Sequence, residues 1–320
     1  MPALDKPLEQ LVKYTTSTPR PKDFDTFWQQ GLQELDALDA NVSFSQADFQ
    51  VPYANCRSMH FTGTGGARVH ARIATPSTLS GPAGPALLFF HGYSGAAPSW
   101  VEMLPYVAAG FTVAGLDCRG QGGLSEDAIS TKGNTLHGHI IKGLDDAPEK
   151  LYYRNVFLDT ALLARIIMAM DHVDADRVGA YGGSQGGALA LACGALETRV
   201  KRVYSQYPFL SDYKRVWDMD LDKDAYAGLR DYFRRFDPLH KREDAIFEKL
   251  GYIDVSHLST MIQGEVLMAI TLMDNICPPS TQFAAYNAIS TPKSHLIYPD
   301  FGHENLPGAN EEAFQFMLGL

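Results

Sequence analysis

Cysteine is scarce in this 320-residue chain: Cys56, Cys118, Cys193 and Cys277 lie far apart and form no Cys-x-x-Cys pair. That spacing excludes a disulfide scaffold and predicts buried free thiols. Positive charge is also short, with 27 Lys and Arg against 37 Asp and Glu and a net charge of -10. An acidic chain of this kind is a poor partner for nucleic acid or an anionic membrane. Long apolar runs free of charge are missing, so no membrane span is expected. The N-terminal Met1-Pro-Ala-Leu-Asp-Lys6 has no apolar stretch behind a basic start, so no signal peptide is expected either, and the expected setting is the cytoplasm. There is no internal repeat and no low-complexity tract. What remains is ordinary globular composition, 45% hydrophobic and 20% charged, with length for a sizeable core.

One stretch organises the rest. Val178-Gly-Ala-Tyr181 runs as an apolar strand into Gly182-Gly183-Ser184-Gln185-Gly186-Gly187, and an Ala/Leu-rich helix follows at once. Strand, Gly-x-Ser-x-Gly and helix in that order mark a nucleophile elbow, a strained turn that presents a serine. Gly182 and Gly186 supply the room for strand and helix to approach, and Gly183 and Gly187 are expected to add more. The helix N-terminus behind Ser184 offers free N–H groups and partial positive charge to an oxyanion.

Around the elbow the chain alternates buried strands and helices. Residues 1–40 read as an extended arm, broken by Pro19 and Pro21, and then an amphipathic helix carrying Phe24, Phe27, Trp28 and Leu32 at helical spacing. Three strand-like runs follow between 44 and 75, the last two (57–62 and 68–74) as a hairpin across Gly63-Thr-Gly-Gly66. Further strands are expected from 86, at 112–117, before the elbow, at 199–206, 265–272 and 295–298. Helices are expected at 100–109, 159–170, after the elbow, at 280–288 and at 311–320. The fold class is α/β, with a mostly parallel twisted sheet and helices on both faces of one domain. Residues 118–153 form a long irregular segment, which in a compact domain is functional or buried against a partner. Residues 210–260 break the rhythm and read as an insertion of two or three helices, either a lid over the sheet's C-terminal edge or a helical excursion.

A serine hydroxyl needs a base within hydrogen-bond reach, and the base needs a carboxylate behind it. In the α/β-hydrolase arrangement these follow in the order Ser, acid, His on loops at strand C-termini. Of the ten histidines, His303 lies after the last strand, in a glycine loop before the terminal helix. Asp274 ends the apolar run 265–272, whereas Asp300 shares a loop with His303, and Asp237 and Asp254 belong to the insertion. The expected set is therefore Ser184, Asp274 and His303. Oxyanion donors are expected from the backbone N–H groups of Gln185 and of Tyr93 in His91-Gly-Tyr-Ser-Gly95. His91 precedes the nucleophile and is expected to be structural. No cofactor is expected, and no metal, because His137-Gly-His139 has no third ligand at suitable spacing.

His91-Gly-Tyr-Ser-Gly95, Arg119-Gly-Gln121, Gly182-Gly-Ser-Gln-Gly-Gly187 and His303-Glu304 together resemble carbohydrate esterase family 7, the acetyl xylan esterases that also act as cephalosporin C deacetylases. Arg20 to Trp28, Gly133-Asn-Thr135, Tyr207-Pro-Phe209 and Asp274 to Pro279 are similar to further segments of that family. The resemblance implies Ser184 as nucleophile, Asp274 as acid, His303 as base and Tyr93 and Gln185 as oxyanion donors. Arg119 and Gln121 would hold the loops, and Tyr93, Tyr207 and Pro208 are candidates for the substrate pocket. It also implies an intracellular, doughnut-shaped homohexamer with sites facing an inner cavity, which would make 118–153 an interface and favour short acetylated oligosaccharides. A broader short-chain esterase, thioesterase or peptidase shares the triad. A dehalogenase would carry Asp, and a dienelactone-type hydrolase Cys, where Ser184 stands. A hydrolase-fold binding protein that has lost catalysis would lack a triad member.

Overall fold

The computed structural model describes residues 4–78, 81–133 and 138–320. Among the described residues nine strands form one sheet: β1 (Ser43–Gln46), β2 (Ala54–Thr62), β3 (Arg68–Pro76), β4 (Gly84–Phe90), β5 (Thr112–Leu116), β6 (Val173–Gly183), β7 (Arg202–Gln206), β8 (Glu265–Thr271) and β9 (Lys293–Tyr298). Their order is β1-β2-β3-β5-β4-β6-β7-β8-β9. The expected hairpin is present as β2 and β3, paired antiparallel from Ala54↔Pro76 to Thr62↔Arg68. From β5 to β9 every pairing is parallel. The apolar runs in β4 and β8 are buried almost throughout, as parallel strands covered on both faces require.

The chain runs from β4 to β5 on one side and then crosses back to β6 on the other. That reversal opens a crevice at the C-terminal ends of β4 and β6, the usual ligand position in an open parallel sheet. The elbow follows β6 and the His91–Gly95 loop follows β4, so the topology brings the two stretches together.

Each face carries its own core. On one side the helices Tyr152–Met168 and Gln185–Leu196 pack with Val178, Ala180, Leu88 and Phe90. On the other, the helices Trp100–Ala108 and Ala309–Leu318 pack with Phe89, Val113, Tyr204 and Leu267. Among the described residues no helix is long and apolar enough to cross a membrane. The four cysteines are all buried and unpaired.

Three expectations need correction. The N-terminal arm holds a four-residue helix, Leu8–Leu11, before the expected helix Phe24–Asp36. The arm is tied down by Asp212, whose carboxylate accepts from Tyr14 Oη (2.8 Å) and from the backbone N–H groups of Ser17 and Thr18 (3.0 Å each). The helix expected to begin at 159 begins at Tyr152, because Tyr152 to Ala164 are all buried and leave no amphipathic stripe to mark the start. The insertion carries four helices, Tyr213–Asp218, Ala227–Phe236, Glu243–Leu250 and Val255–Leu258, rather than two or three. Left-handed backbone follows the first of these helices at Asp220 (φ +54°) and the second at His240 (φ +53°), while Asp224 (φ +47°) lies just before the second. Tyr226, Leu229 and Phe233 are buried, so the insertion is built into the core. Tyr226 packs on Phe209 (4.4 Å between ring centroids), and Phe209 packs on Tyr93 (5.7 Å).

Candidate active site

Ser184 sits at φ +57°, ψ -120°, a conformation few non-glycine residues adopt. Its backbone is pinned from both sides: its N–H donates to Gln206 O (2.9 Å) and its carbonyl accepts from Phe209 N–H (3.0 Å). A side chain on Gly182 would meet the backbone of Gly186 at 2.3 Å, and one on Gly186 would meet the Phe90 carbonyl oxygen at 2.0 Å. Those two positions therefore demand glycine. Gly183 does not, since the nearest atom to an added Cβ is 3.8 Å away.

The three residues singled out in the sequence converge. His303 Nε2 lies 2.9 Å from Ser184 Oγ, and His303 Nδ1 lies 2.8 Å from Asp274 Oδ2. Asp274 is fully buried; its Oδ1 accepts from the N–H groups of Ile276 and Cys277 (2.8 Å each), and Oδ2 also accepts from Thr271 Oγ1 (3.3 Å). With both oxygens occupied, the carboxylate cannot rotate away from the imidazole. Asp300 is exposed and makes no side-chain hydrogen bond to another described residue. The loops that carry Asp274 and His303 are joined by Met273 N–H to Phe301 O (3.0 Å). Tyr207 backs His303, with ring centroids 4.5 Å apart, and its hydroxyl donates to Glu304 O (3.0 Å). Tyr207 and Pro208 are both buried.

Tyr93 lies in the turn after β4, and Gln185 opens the helix behind Ser184. Among the described residues neither backbone N–H donates to an acceptor. The side chains around them form one network. Gln121 and Gln185 face each other amide to amide, Gln121 Nε2 donating to Gln185 Oε1 at 3.0 Å. Gln121 Oε1 accepts from Ser94 N–H (2.8 Å), holding a residue whose φ is +56°. Tyr153 Oη donates to Gln185 Oε1 (2.8 Å), and Tyr152 Oη accepts from Gln121 (2.9 Å) while donating to Arg119 O (2.5 Å). Gln121 thus joins the two segments that carry the candidate oxyanion donors.

Arg119, fully buried, forms a bidentate pair with Asp159 (Nε to Oδ2 2.7 Å, Nη2 to Oδ1 2.6 Å) and donates to Thr64 O (3.0 Å). Burial opposes its charge, but the charge of Asp159 and its hydrogen bonds outweigh that and raise the guanidinium pKa. Both ring nitrogens of His91 have backbone partners: Cys118 N–H donates to Nε2 (3.0 Å) and Nδ1 lies 2.7 Å from Gly92 O. Burial lowers its pKa and keeps the ring neutral.

The sequence reasoning missed Tyr152, Tyr153 and Asp117. Asp117 accepts from Ala97 N–H (2.6 Å), Leu124 N–H (2.9 Å) and His70 Nδ1 (2.6 Å), tying the loop after β4 to the loop after β5. Its place one residue past a buried strand was the available signal. Asn134, Thr135 and His137 lie outside the described residues. Asp274, Cys277 and His303 bring three potential metal ligands together. Burial pushes the Cys277 thiol well up, so it stays protonated, and both His303 nitrogens already have partners. That donor set does not fit a metal.

A switch-point crevice, a strained serine elbow and a histidine bridging to a buried aspartate define an α/β-hydrolase. The acetyl xylan esterase (AXE1) family model matches residues 1–320, and the chain belongs to that family, one of carboxylic ester hydrolases. Acetyl xylan esterase 1 from Thermoanaerobacterium sp. JW/SL YS485 superposes with a TM-score of 0.97 at 54% identity, covering 98% of this chain and 99% of that one. An acetyl xylan esterase from Paenibacillus sp. R4 gives 0.94 at 33% identity, again over 98% and 99%. The acetyl esterase Axe7A of Xylanibacter ruminicola is 27% identical over 298 residues, which are 91% of this chain; the chain spans 64% of that relative's length.

Proposed function

We propose that the protein is a serine esterase that removes acetyl groups from acetylated xylo-oligosaccharides and other small acetyl esters, cephalosporin C among them. The observation that carries this is the continuous line Ser184 Oγ, His303, Asp274, at 2.9 and 2.8 Å. Ser184 Oγ attacks the acetyl carbonyl while His303 Nε2 takes its proton, forming a tetrahedral oxyanion. The unpaired N–H groups of Tyr93 and Gln185 receive that oxyanion. Collapse breaks the C–O bond to the sugar, whose oxygen takes the proton from His303, and leaves acetyl-Ser184. Water, deprotonated by His303, then releases acetate and restores the hydroxyl. Asp274 holds the Nδ1–H tautomer and stabilises the imidazolium at both stages.

Tyr93, Tyr207 and Pro208 border the acyl side in this scheme, with Tyr207 fixing the histidine loop from beneath. The chain is further proposed to work in the cytoplasm as a homohexamer. Four unpaired thiols suit a reducing compartment, and sedimentation velocity tests the assembly. The decisive assay is hydrolysis of p-nitrophenyl acetate by a folded Ser184→Ala protein: normal turnover would sink the mechanism. A panel of acetyl, butyryl and octanoyl esters tests the acyl preference, and a maximum at longer chains would replace the acetyl assignment by a broader short-chain esterase.

A further inference from the structure

A cavity of about 780 Å³ lies over β4 and β6, on the sheet face covered by the helices Trp100–Ala108 and Ala309–Leu318. It falls in the roughly 300–1,000 Å³ range of ligand-binding cavities. Its upper rim belongs to the catalytic edge: Gly92 adjoins Tyr93, and Asn305 is two residues beyond His303. From there it runs down the side of the sheet, away from the insertion.

The lining has a definite chemistry. Aromatic rings form the floor: Tyr181 packs on Phe89 (4.6 Å between centroids), and Phe314 packs on Tyr106 (4.8 Å). Tyr181 and Phe314 remain half-buried, so part of each ring faces the cavity. Glu102 and Glu311 contribute carboxylates, and Asn305, Asn310 and Gln315 contribute amides. Tyr181 Oη donates to Asn310 Oδ1 (3.0 Å), which anchors that amide and leaves its N–H₂ free to donate. Asn305, Glu311 and Gln315 make no side-chain hydrogen bond to another described residue. Among the described residues no Lys or Arg lines the cavity and two carboxylates do, which disfavours phosphate, carboxylate or another anionic ligand.

Aromatic faces beside carboxylate and amide groups suit one class of ligand well. A pyranose ring presents C–H groups on its face, which pack on aromatic rings, and hydroxyls around its edge, which donate to carboxylates and exchange hydrogen bonds with amides. Building on the acetyl-sugar esterase reading above, we propose that this cavity is a subsite for the uncharged sugar units of a xylo-oligosaccharide whose acetylated unit lies at Ser184. An oligosaccharide chain enters at Gly92 and Asn305 and extends over Tyr181 and Phe314. Small aryl acetates do not reach it.

The test is binding of unacetylated xylotetraose, measured by calorimetry or saturation-transfer NMR, which requires no catalysis. Wild type is compared with Phe314→Ala and with Asn310→Ala, the second removing an exposed amide so that one informative variant folds. The expected result is a Kd raised about tenfold in each variant, and a similar fall in kcat/KM for acetylated xylotetraose relative to p-nitrophenyl acetate. Equal xylotetraose affinity in wild type and both variants, or no binding to wild type at millimolar concentration, would overturn the subsite. If xylotetraose binds and the variants weaken it, yet no acetate leaves acetylated xylo-oligosaccharides, the cavity stands as a glycan site and the substrate reading falls. Release of acetate with no dependence on either variant has the opposite meaning and removes the subsite alone.

Discussion

Replacing Gly186 by alanine separates steric need from mere glycine abundance at the elbow. The added Cβ would lie 2.0 Å from the Phe90 carbonyl oxygen and 2.7 Å from its carbonyl carbon. Carbon atoms are essentially never found within 3.0 Å of such a neighbour, so backbone must yield by about 1 Å. The atoms in conflict are the first turn behind Ser184 and the last residue of β4, which leads into Tyr93. Yielding therefore moves the two candidate oxyanion donors apart. A misplacement of about 1 Å costs on the order of 10²-fold in rate, and the overpacking itself costs about 1–3 kcal/mol of stability. The assay is kcat on p-nitrophenyl acetate at saturating substrate, with circular dichroism and a thermal melt to establish folding. Gly186→Ala is expected to fold, melt several degrees lower and lose about 10²-fold in kcat. In Gly183→Ala the new methyl has 3.8 Å of clearance, so its kcat stays within about threefold, the effect of roughly 0.5 kcal/mol. Wild-type turnover by folded Gly186→Ala, or an equal loss in both variants, would refute the steric account.

Gln121→Leu deletes the acceptor that holds Ser94 and leaves the buried Gln185 amide short of a partner. We expect kcat to fall about 10- to 100-fold with a smaller change in KM, and Gln121→Glu, which keeps the acceptor for Ser94, to recover part of the loss. Arg119→Ala strands the Asp159 carboxylate, only 1% exposed, and should cost about 3–5 kcal/mol in urea unfolding; Arg119→Met with Asp159→Leu should unfold closer to wild type. Acid should destabilise the fold in two stages. Burial, aided by Lys142, pushes His139 down to about 4, and burial lowers His91 as well. Unfolded histidines titrate near 6.5, so the unfolded chain binds more protons between these values, and stability drains as pH falls from about 6.5 towards 4. At Asp117 burial opposes ionisation, but hydrogen bonds from His70, Ala97 and Leu124 outweigh it and hold the carboxyl at about 2. Its contribution is complete above the unfolded value near 3.8 and is lost as pH falls from there through about 2. Urea midpoints measured from pH 7 to 3 check this, and a flat profile between 6.5 and 4.5 would contradict it.

How much of the site was legible follows from the range over which each constraint acts. The elbow is local: six residues must turn a strand into a helix within one close approach, and at three of them, Gly182, Gly186 and Gly187, an added Cβ would come within 3.0 Å of backbone. Asp274 and His303 are distant from Ser184 in sequence, yet a parallel sheet delivers every strand's C-terminal end to one edge, so position in the strand order was enough to bring the three side chains together. The supports were harder to read. Tyr152 and Tyr153 sit on a helix buried all round, which erases the period that would place its first turn. The insertion's length was visible, but the breaks on either side of its second helix fall at Asp220, Asp224 and His240, which enter left-handed backbone that their residue types permit and do not require.

Strand β6 shows where sequence pattern stops being informative. Alternation along the strand puts Val178 and Ala180 on one face and Tyr181 across from them, against Phe89, its register partner in β4. Nothing within the strand says whether Tyr181 meets a packed core or an open cavity. Its hydroxyl reaches Asn310, more than a hundred residues later, and the gap between that helix and Trp100–Ala108 leaves the ring half uncovered. The strand that delivers Ser184 to the crevice therefore also floors the neighbouring cavity, three residues earlier and on the other face. If that cavity holds sugar, β6 couples glycan position to Ser184 through its own backbone. A Tyr181→Phe substitution, which keeps the ring and frees Asn310, should then alter oligosaccharide affinity while leaving the Ser184–His303 contact in place, with xylotetraose titration as the measure.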